Sequence, residues 1–89
     1  KTLVPVEGTV SSLRLDAVTA MVTGLSREKA QALIRSGEVT INYAAEQSVS
    51  APLAPEDILR IRGYGKFLIT GEMRTTKKDR IYLIVQKYV

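Results

Sequence analysis

Two hydrophobic periods divide this chain. From Ser12 to Thr23, "SLRLDAVTAMVT", the residues Leu13, Leu15, Ala17, Val18, Ala20, Met21 and Val22 form one broad arc when projected at about 100° per residue. Asp16, Thr19 and Thr23 face the other way, which predicts an amphipathic helix. Arg14 falls inside the apolar arc, so it either snorkels outward or lies just ahead of the helix start. A second helical pattern covers Ser26 to Ser36. Ala30, Leu33 and Ile34 share one face, Arg27, Gln31 and Arg35 line one flank, and Lys29 lies on the other. Gly24 and Gly37 follow the two patterns as stop signals, since glycine readily takes the left-handed conformation that ends a helix.

After Gly37 the period becomes two. "EVTIN" at 38–42 turns Val39 and Ile41 inward, and "DILRIR" at 57–62 sets Leu59 and Ile61 against Arg60 and Arg62 on the opposite face. "KFLIT" at 66–70 and "RIYLIVQKY" at 80–88 are rich in β-branched and aromatic residues and read as strands. Residues 42–47 read as a turn with Val49 on a short return strand, and Pro52 and Pro55 bracket a loop. "GYG" at 63–65 reads as a turn or bulge, and "GEMRTTKKD" at 71–79 as a basic hairpin loop. Residues 1–11, with Pro5 and Gly8 among scattered apolar positions, read as an extended lead-in or linker end, leaving 12–89 as the domain. The expected fold is α+β, with two N-terminal helices packed on a small antiparallel sheet of about five strands.

Composition narrows the chemistry. The 89 residues, 45% hydrophobic and 25% charged, suit one small globular core. With no Cys and no His, the chain offers no disulfide, no thiolate or histidine-based catalysis and none of the usual zinc sets, and it suits a reducing compartment. "GYG" lacks the rest of a phosphate-binding fingerprint, and Glu56 and Asp57 follow Pro55 in an ordinary turn composition. The expectation is a non-enzyme with no cofactor, no metal and no small-molecule substrate. The apolar run at 81–89 is too short to span a bilayer and is interrupted by Gln86 and Lys87, so no membrane role is expected. The chain begins at Lys1 rather than Met, as a piece of a longer protein would.

Charge changes the picture more than composition does. The net charge is +4, but residues 60–89 alone hold eight cations against Glu72 and Asp79. Such asymmetry fits a nucleic-acid partner, with a solvated surface as the plain alternative. The second helix adds a local oddity. With Ser26 as N-cap, Arg27 and Lys29 sit in the first turn, where cations are unfavourable by roughly 0.3–1 kcal/mol each. Glu28 and solvent can offset that cost, yet the same placement makes a good phosphate site beside free backbone N–H groups. Arg35 lies about 12 Å further along the Arg27 flank, within reach of a second phosphate. Arg60 and Arg62 share a strand face, followed by Tyr64 and Lys66, which combines guanidinium forks with an aromatic able to stack on an unpaired base. The loop cations Lys77 and Lys78 fit either an RNA contact or a solubilising tip.

Together, "LRLDAVTAMVTGLSREKAQALIRSGEVTIN" and "DILRIRG" resemble the S-four (αL motif) RNA-binding domain. The shared pattern is R-L-D opening one helix, S-R opening the next, then I-x-x-G-x-V-x-V-N and a later D-x-I, with Ile41 here in place of the usual valine. The match runs over about residues 13–63. Within that family the chain is most similar to the YlmH-like branch, including plastid and cyanobacterial relatives. Asn42 is followed by an aromatic, and Arg62-Gly63-Tyr64-Gly65-Lys66 leads into a basic loop and a last strand. The Ala/Pro loop at 51–55 departs from the family's Gly-Asp turn. The resemblance implies binding of structured RNA, rRNA or tRNA, by a monomer at the ribosome, in the cytoplasm or a chloroplast stroma. It implies an RNA surface of Arg14, Ser26, Arg27, Lys29, Gln31, Arg35 and Asn42, extended by Arg62, Tyr64 and Lys66. Two other roles remain open: an RNA-targeting domain of a pseudouridine synthase, tRNA synthetase or methyltransferase, and a protein-interaction module using an exposed strand edge.

Overall fold

The computed structural model describes residues 2–89. Its elements run β1 (Leu3–Val10), α1 (Leu15–Thr23), α2 (Arg27–Arg35), β2 (Val39–Ile41), β3 (Ala44–Ala45), β4 (Ile58–Ile61), β5 (Gly65–Thr75) and β6 (Ile81–Tyr88). All six strands join one antiparallel sheet in the order β1-β6-β5-β4-β2-β3. The α+β class stands, with two corrections: there are six strands rather than five, and the helices lie between strands rather than at the N-terminus.

The sixth strand is the segment expected as a lead-in. Leu3 to Val10 pair with Tyr88 to Ile81 along the whole of β6. Pro5 is compatible with this because β1 is an edge strand, where a missing backbone donor can face solvent. Gly8 marks where α1 crosses β1: a Cβ there would lie 2.9 Å from Met21 Cγ.

The two helices start and stop close to where the pattern puts them. Gly24 adopts φ 77 and its N–H donates to the Ala20 carbonyl, closing α1. The Ser26 hydroxyl accepts from the Lys29 N–H, 3.2 Å away, opening α2. Arg14 is the residue just before α1, which settles the two readings of it in favour of a position ahead of the helix. At that end, the N–H groups of Leu15 and Asp16 donate to the carbonyls of Ala51 and Val49 at 2.8 and 3.0 Å. The 46–57 loop is thereby strapped across the start of α1, with Leu53 buried beneath it. Val49 belongs to this loop, and the return strand is Ala44–Ala45 instead.

The basic segment at 71–79 is also more ordered than its polarity suggests. β5 continues through it to Thr75, and only the tip around Thr76 to Arg80 is a turn. The pairing of β5 with β6 shifts between Ile69 and Met73, so the strand carries a bulge at Thr70, Gly71 and Glu72. The core lies on one face of the sheet. Val39, Leu59, Ile61, Phe67, Ile69, Leu83 and Val85 meet Leu15, Val18 and Ile34 from the helices, all but fully buried. The alternate residues of the strands, Arg60, Lys66, Leu68, Ile84 and Tyr88 among them, line the face that carries no helix.

Candidate nucleic-acid interface

The helix starts converge on one carboxylate. Asp16, in the first turn of α1, has no exposed surface. Arg14 donates to it from Nε and a terminal nitrogen at 3.2 and 3.1 Å. Arg27, at the start of α2, approaches the same group through Nε at 3.1 Å, and Gln31 Nε2 donates to it at 2.8 Å. Burial, the largest single influence, pushes the Asp16 carboxyl up, but the donors from Gln31, Arg27 and Arg14, with the Arg27 charge, together hold it down at about 2. The carboxylate is therefore ionised at neutral pH. It fixes two guanidinium groups that remain 42% and 45% exposed, so their outer N–H groups stay open to an incoming anion. Two cations share one anion, leaving the cluster net positive.

This arrangement revises the oddity at the start of α2. Arg27 is stabilised by a partner on the preceding helix, a contact between residues 11 apart in sequence that no single-helix projection can reveal. A third arginine joins from the far end of the chain. Arg80, at the tip of the β5–β6 hairpin, holds the hydroxyl and carbonyl oxygens of Thr9 at 3.3 and 3.2 Å. Arg80 and Arg27 both line a cleft of about 310 Å³ between β1 and α1.

The remaining expected site residues do not gather there. Ser26 serves as the cap of α2. Lys29 and Tyr64 line a separate, apolar groove with Leu25, Ala32, Leu33 and Ser36. Arg35 is exposed at the end of α2, its carbonyl accepting from Gln47 Nε2 at 2.9 Å. Asn42 is engaged within the fold: its Nδ2 donates to Asp57 Oδ1 at 3.1 Å and its Oδ1 accepts from the Ile58 N–H at 2.9 Å. Arg62 is 80% exposed and lies 3.7 Å from Glu38, a surface pairing that leaves it largely available. Lys66 lies on the helix-free face, its ammonium 4.5 Å from the centre of the Tyr88 ring. The ten residues thus divide between a helix-side cluster, the turn region beside α2 and the open sheet face.

Periodicity marks Asp16 only as polar, so its role as the shared anchor of Arg14, Arg27 and Gln31 does not show in a helix projection. Its place in "RLD", two residues after Arg14, was the available signal.

No protein-family model matches the chain. It is similar to "Ribosome-associated protein quality control protein P2" of Bacillus subtilis (strain 168), with 43% identity over 74 residues, 83% of this chain and 29% of the relative. Among solved structures it is similar to a crystal structure of a pseudouridylate synthase, with TM-score 0.57 and 33% identity over 71% of this chain and 26% of that one. The chain therefore spans less than a third of either protein.

Proposed function

We propose that this chain is an S-four-type RNA-binding module, non-catalytic in itself, that holds structured RNA by its backbone and shape. The observation that carries the reading is the buried Asp16 carboxylate, which holds both Arg14 and Arg27, while Arg80 lines the same cleft as Arg27. Guanidinium groups held this way lose little freedom when they meet phosphate, and their fork geometry suits it. Arg35 and Arg62 extend the basic surface along and beyond α2. The resemblance to a ribosome-associated quality-control protein supports a ribosomal partner. On this reading the target is rRNA or tRNA, bound by a monomer in a bacterial cytoplasm or plastid stroma. Crosslinking the full-length protein to cellular RNA and sequencing the adducts tests this. Enrichment of rRNA or tRNA is expected, and recovery of no RNA above background would contradict it.

A second reading has its own support in the pseudouridylate synthase likeness. On that reading the same RNA surface delivers substrate to a catalytic domain elsewhere in a longer protein. A catalytic domain in the full-length open reading frame is the deciding observation.

A further inference from the structure

The turn between β2 and β3 consists of two residues, Asn42 at φ 51 and Tyr43 at φ 70. Two-residue hairpin turns with both angles positive favour Asn followed by Gly. Here a tyrosine occupies the glycine position, in backbone geometry that disfavours a bulky side chain. Burial recovers little of that cost, because Tyr43 is 64% exposed.

Beside this ring lies a second locally unfavourable choice. Arg60 on β4 stands directly opposite Lys66 on β5, two like charges in a cross-strand pair. Neither forms an ion pair among the described residues. The Lys66 ammonium lies 5.9 Å from the Tyr43 ring centre and 4.5 Å from that of Tyr88. Tyr43, Arg60, Gly65 and Lys66 line an open cleft of about 320 Å³. An anion between Arg60 and Lys66 would relieve their repulsion, and the exposed ring offers a planar surface at its side. Both features are locally unfavourable, offset in part by the contacts of Lys66 with the two rings, and both serve a ligand that combines negative charge with an aromatic plane.

We propose that Tyr43, Arg60 and Lys66 form a second RNA contact, on the helix-free end of the sheet, that takes one unpaired nucleotide. Its base stacks on Tyr43 and its phosphate lies between Arg60 and Lys66. The inference rests on the reading of the chain as an RNA-binding module. It adds that the RNA is gripped at two separate places, as a duplex backbone on the helix side and as a flipped-out or single-stranded nucleotide here.

Two probes separate these contacts: a labelled single-stranded oligouridylate of about ten nucleotides, and a blunt RNA duplex. The informative variant is Tyr43→Gly, which removes the ring while supplying the residue the turn prefers, so the fold is retained. It should weaken oligouridylate binding by about fivefold or more, the low end of what base–aromatic stacking supplies. Tyr43→Phe should preserve that binding, and duplex binding should be unaffected by either change. Oligouridylate binding that is absent in the unaltered protein, or unchanged in Tyr43→Gly, overturns the second contact. Arg27→Ala, on the other face, serves as the control. If it weakens duplex binding while Tyr43→Gly changes nothing, only the second contact falls. If Arg27→Ala leaves duplex binding intact, the helix-side contact of the underlying reading falls instead, and the second contact is decided by the oligouridylate result alone.

Discussion

Asp16 accepts side-chain donors from Arg14, Arg27 and Gln31 while its own backbone N–H donates to the Val49 carbonyl, so one residue ties α1, α2 and the 46–57 loop together. Its carboxyl is lowered from 3.8 to about 2 in the fold. A depressed folded value means that the stabilisation is complete above the unfolded value and disappears as pH falls through the folded one. The corresponding contribution at neutral pH is about 2 kcal/mol. Asp16→Asn should therefore lose about that much stability at pH near 7 in urea denaturation, and the deficit should shrink as pH falls from about 4 to about 2. A deficit constant across that range would contradict the role of the charge. The same variant separates positioning from bulk electrostatics. Removing an anion raises the net charge by one, which by itself would tighten RNA binding. Loss of the carboxylate also frees Arg14 and Arg27, so the expected outcome in a filter-binding assay is weaker binding of structured RNA. Arg27 is legible in the sequence as a cation at the wrong end of a helix, and Arg14 as a charge inside an apolar arc. Their shared anchor is not, because it depends on how two helices pack.

At the scale of elements, signals carried by neighbouring residues are legible in the sequence and those that depend on distant strands are not. Gly24 and Ser26 define the junction of the helices through contacts within four residues, which is why the α1–α2 boundary was legible. β1 depends on β6, more than 70 residues away, and its Pro5 and Gly8 break the local strand pattern. The continuation of β5 past Gly71 was hidden for a similar reason, since a bulge is defined only against the partner strand. Gly8 supplies the check on β1. Gly8→Val should cost about 1–3 kcal/mol, as overpacked sites do, because its side chain must displace Met21, whose Cγ would lie 2.9 Å from a Cβ. In a Met21→Ala background the same change should cost less, the coupling expected of residues in contact. Additive costs in a double-mutant cycle would mean that β1 and α1 do not meet as described.

For the whole molecule, the sheet separates two basic regions, one built on the helix starts and one on the face without helices. Net charge alone says nothing of how the cations are distributed. The fold divides them, since Arg27 belongs to the first region and Lys66 to the second. Arg35 and Arg27 lie on one flank of α2, neither held by a neighbour on its own helix. On the proposed reading this flank neutralises RNA phosphates, and the salt dependence of binding tests that most directly. The logarithm of affinity for a structured RNA should fall linearly with the logarithm of salt concentration, with a slope that counts the phosphates neutralised. The Arg27→Ala/Arg35→Ala double variant should bind roughly tenfold more weakly or worse and show a flatter slope. A folded double variant with unchanged affinity and unchanged slope would contradict the account.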